Sequence, residues 1–200
     1  MDNKPIIAVD IDEVLTPHFQ DLIDWYNKQY GTRLTLANNH PKTPEGWGTE
    51  SIEEAVKRVQ EFFDTEQFRQ SEPFNEAKNA AKQLSQKYDL VIITARDTIV
   101  EKITRDWISK HFPELFSDVH FAAMYSLDNR AKPKSEIAKM IGVDYLIDDS
   151  LEHITSSAAE GIKGLLFGEY PWNQVGELPE GVTRVKDWPE ILEYFDGQAQ

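Results

Sequence analysis

The chain has 200 residues, 40% hydrophobic and 28% charged, which suits one globular domain with a sizeable core. Its 21 basic and 35 acidic side chains leave a formal charge of −14, a surface that repels nucleic-acid backbones and anionic membranes, so no nucleic-acid or membrane partner is expected. The absence of cysteine excludes disulfides and cysteine-ligated zinc, and no stretch has signal-peptide or membrane-spanning character, so cytoplasmic residence is the expectation.

The first predicted strand, "PIIAV" (5–9), is an unbroken apolar run ending at Asp10 and Asp12. Two carboxylates held close repel unless a cation lies between them, so either the loop emerges into water here or a cation belongs in the gap. Two helical patterns follow. "TPHFQDLIDWYNKQYG" carries a stripe of Phe19, Leu22, Ile23, Tyr26 and Tyr30 and a Gly31 stop. "SIEEAVKRVQEFFD" repeats the pattern, and a polar, Pro- and Gly-marked loop carrying Trp47 separates the two. Roughly seventy residues pass before the next strand, too many for one crossover helix. Residues 17–71 therefore read as a small helical cap, with residues 1–16 and 72–200 forming the core.

Further strands are predicted at "DLVIIT" (89–94), "VHFAA" (119–123), "DYLID" (144–148) and "GLLF" (164–167). Helices are expected at 74–87, 98–110, 135–141, 151–160 and about 189–195. Continuous apolarity implies strands buried on both faces, and the alternation implies right-handed crossovers. The fold expected is a doubly wound, Rossmann-like α/β parallel sheet of about five strands, with the cap inserted after the first.

Ligands of open α/β sheets bind at the carboxyl ends of the strands, so the residues standing there are the informative ones. They are Asp10 and Asp12 after the first strand, Thr94, Ala95, Arg96 and Asp97 after the second, and Asp148, Asp149 and Ser150 after the fourth. Four carboxylates, Asp10, Asp12, Asp148 and Asp149, are expected to gather in one crevice. Hard oxygen donors without histidine or cysteine favour Mg²⁺, with a phosphate bound beside it. The basic segment "NRAKPKSEI" precedes the helix leading into the fourth strand, and charge on a phosphoryl group needs a fixed cation.

"DIDEVL", Thr94 of "VIITARD", a lysine of "AKPKSEI" and the acids of "YLIDDS" resemble, in order and spacing, the four motifs of the haloacid-dehalogenase-like phosphohydrolases. The resemblance covers residues 5 to about 195. The tail and the short cap look most like the 5′(3′)-deoxyribonucleotidase branch. It implies that Asp10 is the nucleophile, forming an aspartyl-phosphate, and that Asp12 is the general acid and base, offering its backbone carbonyl to Mg²⁺. Thr94 would hydrogen-bond the phosphoryl group, Lys134 would neutralise it, and Lys132 is the competitor for that role. Asp149 would ligate Mg²⁺ directly and Asp148 through the outer shell. Glu13 departs from the family, many members having glycine there.

Each sign also has a plainer reading. Asp-x-Asp at a strand end is common, Thr94 can cap a helix, and Arg96 can pair with Asp97 at the surface instead of contacting phosphate or leaving group. Phe19, Trp25, Trp47, Phe62 and Phe63 are candidates to stack on a base, although aromatics at helical spacing usually pack inward. Of these aromatics, Phe19 and Trp47 join Thr94, Ala95, Arg96 and Lys134 as the substrate-binding candidates. The five histidines show no metal-ligand spacing. The expected activity is a Mg²⁺-dependent phosphomonoesterase of nucleoside monophosphates, monomeric or dimeric. The alternatives are a phosphatase of another small metabolite such as a sugar phosphate, or a non-catalytic module that binds a phosphorylated ligand.

Overall fold

A computed structural model describes residues 4–37, 43–124 and 131–198. Six strands, β1 (Ile6–Val9), β2 (Asp89–Thr94), β3 (Asp118–Phe121), β4 (Tyr145–Asp148), β5 (Lys163–Phe167) and β6 (Val182–Val185), form one parallel sheet in the order β3-β2-β1-β4-β5-β6. The expected count of five is corrected by β6. Its sequence, Val-Thr-Arg-Val, is half exposed at the sheet edge, so it lacks the unbroken apolarity that marks the inner strands.

The helices among the described residues are α1 (His18–Tyr30), α2 (Pro44–Trp47), α3 (Ile52–Phe63), α4 (Glu66–Arg69), α5 (Ala77–Leu84), α6 (Glu101–His111), α7 (Lys134–Ile141), α8 (Leu151–Ala159) and α9 (Trp188–Gly197), with short 3-10 turns at Thr98–Val100 and Pro171–Asn173. Helices cover both faces of the sheet. One core layer joins Ile7, Val9, Leu90, Ile92 and Leu165 to α5, α6 and α9 through Ala81, Trp107 and Trp188. The other joins Ala8, Val91, Leu146 and Leu166 to Ile137 of α7 and Ile154 of α8. Every inner strand thus buries both sets of alternating side chains, which is why its sequence reads as continuous apolarity.

Helices α1 to α4 form a separate cluster around Leu22, Tyr26, Trp47, Ala55, Phe62 and Phe68, to which Val100 of the core is joined. Thr43 caps α2, so part of the expected loop is one helical turn, and Ser51 caps α3 by accepting the Glu54 N–H. His40 of that loop lies outside the described residues. This insertion leaves and re-enters the core at one place: the Thr16 and Ser71 hydroxyls are 2.7 Å apart, and the Phe74 N–H donates to the Leu15 carbonyl at 2.8 Å. Among the described residues, no helix is long and apolar enough to cross a membrane.

Candidate active site

Three strands of the sheet centre deliver the site. The Asp10 N–H donates to the Ile147 carbonyl at 2.9 Å, fixing the end of β1 against β4. The Ile11 N–H then donates to Asp10 Oδ1 at 2.8 Å. Pro133 halts the preceding segment, and Lys134, first residue of α7, sends its ammonium into the interior. Its Nζ lies 2.8 Å from Asp10 Oδ2 and 2.7 Å from Asp148 Oδ2, and the residue is 1% exposed. Asp148 Oδ1 accepts the Ser150 N–H at 2.9 Å, and Asp149 Oδ2 accepts the Trp172 indole N–H at 2.6 Å. Asp10, Asp148 and Asp149 each turn one oxygen to a common point, all within 4.8 Å of one another.

The charges around that point do not balance. Burial opposes the Lys134 charge, yet Asp10 and Asp148 hold its ammonium well above the ordinary lysine range. Burial also works against the Asp148 charge, and Lys134 overrides it, keeping the carboxyl below the usual range. Asp10 gains less: burial, with repulsion from Asp148 and Asp12, lifts it to about 6 despite Lys134. Asp149 and Glu13 are pushed well above the carboxylate range, chiefly by burial and then by neighbouring acids. Three acids around one ammonium, with Glu13 close by, make a site deficient in positive charge, and its donors are hard oxygens. That donor set fits a divalent cation such as Mg²⁺.

Asp12 does not join the cluster. The expected gathering of four carboxylates is corrected to three, because Arg96, beyond the end of β2, takes the fourth. Arg96 Nη2 lies 2.6 Å from Asp12 Oδ1, and Nε is 3.2 and 3.1 Å from the two oxygens. The guanidinium also donates to Thr104 Oγ1 and stands 5.0 Å from the Phe68 ring centroid. Arg96 is therefore buried in an ion pair with Asp12, not on the surface with Asp97. Burial disfavours the Asp12 charge, but Arg96 and then His18 outweigh it and hold the carboxyl below its ordinary value. His18 itself is pushed down to about 4, mainly by burial.

Thr94 is fully buried at the end of β2, where its hydroxyl accepts the Arg96 N–H at 3.3 Å. Ala95 is half-buried in the same turn, and its carbonyl accepts the Met124 N–H. Lys132 is exposed, two residues before the buried Lys134. Phe19, at the start of α1, is half-buried and meets Trp172 edge to face at 5.6 Å. Trp47 is only 6% exposed: its ring packs 5.0 Å from Tyr26 and its carbonyl accepts the Tyr26 hydroxyl, so little of it is left for substrate.

Several contributors had no expected role. Glu13 adopts a left-handed φ of 61°, its Oε1 accepts the Phe19 N–H at 2.6 Å, and its carbonyl accepts the Tyr170 hydroxyl at 2.8 Å. The segment after β5 holds Tyr170, Trp172 and Asn173. Gly168 admits it: at φ 76°, a Cβ there would lie 2.4 Å from the Tyr170 ring. The strand-end rule, applied to β5 as to β1, β2 and β4, points to this segment.

Solved haloacid-dehalogenase-like hydrolases share this fold. A haloacid dehalogenase-like family hydrolase from Streptococcus pneumoniae is 18% identical, with 98% of this chain and 100% of that chain covered at a TM-score of 0.70. A putative phosphatase from Clostridium difficile is 17% identical, with 97% and 99% covered at 0.71. A D,D-heptose 1,7-bisphosphate phosphatase from B. bronchiseptica, complexed with magnesium and phosphate, is 15% identical, with 97% and 99% covered at 0.58. No curated protein matches the chain. The family model for the 5′ nucleotidase, deoxy (pyrimidine), cytosolic type C proteins matches residues 4–195, and the chain belongs to that family.

Proposed function

We propose that this phosphohydrolase is a Mg²⁺-dependent 5′-nucleotidase of (deoxy)nucleoside monophosphates, with Asp10 as nucleophile and residues 17–71 as a cap over the site. The observation that carries the chemistry is the clamp on Asp10. Its Oδ1 accepts a backbone N–H and its Oδ2 meets Lys134, so the carboxylate is held in one orientation for attack on phosphorus. Asp10 forms the new bond to phosphorus, the ester oxygen leaves with its electron pair, and a proton from the Asp12 carboxyl goes to that oxygen. Water then attacks the aspartyl-phosphate, Asp12 takes back a proton, and the bond to Asp10 breaks to free inorganic phosphate.

Asp12 is ionised beside Arg96, so it needs a proton for the first half of the cycle. A phosphate dianion arriving next to it raises its proton affinity, as any like charge does, and supplies that requirement only when substrate is present. Asp10, Asp149 and Asp148, together with the Asp12 backbone carbonyl, would hold Mg²⁺. When bound, it supplies positive charge that offsets the phosphoryl oxygens and the crowded acids. Thr94 and Lys134 bind the phosphoryl group, and Phe19 offers an aromatic face to the base. Nucleotide preference is supported by the family match.

A panel of dUMP, dTMP, ribonucleotides and sugar phosphates, assayed with and without Mg²⁺, tests this. Mg²⁺-stimulated release of phosphate from nucleoside monophosphates is expected. Faster turnover of a sugar phosphate would retire the nucleotidase reading, and no turnover of any ester would favour a binding module.

A further inference from the structure

We infer that Trp172 is a positioning residue for the cation site, aiming the Asp149 carboxylate and tying it to α1; this rests on reading Asp149 as a Mg²⁺ ligand. Its indole N–H donates to Asp149 Oδ2 at 2.6 Å, a short charge-assisted contact that fixes the carboxylate's rotation. Asp149 is also held by its backbone. Asn173, fully buried, donates from Nδ2 to the Asp149 carbonyl at 3.0 Å and to the Phe167 carbonyl at 2.9 Å. Main chain and side chain of one acid are thus anchored by two residues of a single turn.

That turn is itself braced. Arg184 of β6 donates to the Gly168 carbonyl at 2.6 Å and to the Asn173 carbonyl at 2.6 Å. Tyr170 stacks on Trp172 with centroids 4.8 Å apart and planes 3° from parallel. The Tyr170 hydroxyl reaches the Glu13 carbonyl, while the Glu13 carboxylate receives the Phe19 N–H. Phe19 returns to Trp172 through its ring. The contacts close a loop from the acid, through two stacked aromatics, to the first turn of α1 and back. Partners that orient a metal ligand set its affinity, and losing one commonly costs ten- to a hundredfold.

Trp172→Phe keeps an aromatic ring against Tyr170 and Phe19 and removes the N–H donor, with part of the indole's area. Mg²⁺ titrated calorimetrically into the metal-free full chain should bind this variant with Kd raised about tenfold. The metal-free melting temperature should stay close to wild type, because the stack survives. A Kd within twofold of wild type overturns the inference, as does a lowered melting temperature with unchanged Kd, which is what a merely structural role predicts. If the variant does not fold, ¹⁵N-labelled wild type gives the second reading. The Trp172 indole cross-peak, identified by its contacts to Tyr170 and Phe19, should move saturably with the calorimetric Kd, and a peak indifferent to Mg²⁺ overturns the inference. Wild type that binds no Mg²⁺ overturns both this inference and the metal reading beneath it. Equal binding by wild type and Trp172→Phe overturns this one alone.

Discussion

Arg96 grips Asp12 through two guanidinium nitrogens, the shortest contact being 2.6 Å, and engages both oxygens of its carboxylate. The pair separates two duties within one crevice: Asp10, Asp148 and Asp149 share a point, while Asp12 is kept ionised beside it. Replacing Arg96 by glutamine removes the main influence lowering the Asp12 pKa. The ionised fraction at any given pH then falls, and the acid limb of the pH–kcat profile should move upward. Stability should drop by about 3 kcal/mol, the lower end for breaking a buried pair, because the Asp12 side chain is 22% exposed. An acid limb unmoved in steady-state kinetics would contradict the assignment of Asp12 as base.

Asp10→Asn separates activity from stability. With Asp10 as the proposed nucleophile, its loss should lower turnover by at least about 10³-fold. Yet Asp10 and Asp148 compete for one ammonium, and the amide removes one of two like charges buried there. Without Mg²⁺, the variant should melt at or above the wild-type temperature in a calorimetric scan. Added Mg²⁺ should stabilise the wild type by about 2.7 kcal/mol at a hundred times its Kd and stabilise the variant less.

The two lysines of "AKPKSEI" should behave oppositely. Lys134→Met leaves Asp10 and Asp148 buried without a cation and should cost about 3–5 kcal/mol in denaturant unfolding, together with activity. Lys132 is exposed, and Lys132→Met should change stability by no more than about 0.5 kcal/mol. A stability loss in the Lys132 variant would reverse the choice between them.

His111 gives the fold an acid sensitivity away from the site. It is buried beside Trp107, and its Nε2 has no hydrogen-bond partner among the described residues. Burial pushes its pKa below the ordinary 6.5. Below that pH the unfolded chain takes up the proton first, so this contribution to stability is full above 6.5 and is lost as pH falls toward the folded value. His111→Phe should retain packing on Trp107, gain about 1 kcal/mol at pH 7 and flatten the stability profile below 6.5. Urea unfolding at a series of pH values measures both, and an unchanged slope would locate the sensitivity elsewhere.

The sheet was readable because parallel strands carry their burial in their composition. Ile6–Val9 and Asp89–Thr94 are apolar almost throughout, and the alternation of strands with helices then determines the layers. Edge strand β6 escaped because Thr183 and Arg184 interrupt that signal. The convergence of Asp10, Asp148 and Asp149 followed from their standing at neighbouring strand ends. The Asp12–Arg96 pairing did not, since both residues lie beyond their strands, where side-chain direction depends on loop geometry. The strand-end rule points to the segment of Trp172, but its contact with Asp149 was hidden for a related reason. Its partner Asp149 is 23 residues away, and only the turn braced by Arg184 brings the two together.

The hydroxyl contact between Thr16 and Ser71 has an architectural consequence. Outgoing and returning segments touch at one threshold, so the spacing of β1 and β2 does not depend on how much polypeptide lies beyond it. Helices there can be lengthened, shortened or exchanged as a cassette without shifting the sheet. A graft must nevertheless carry His18, Phe19 and Phe68 with it, because these three side chains reach back to Asp12, Trp172 and Arg96.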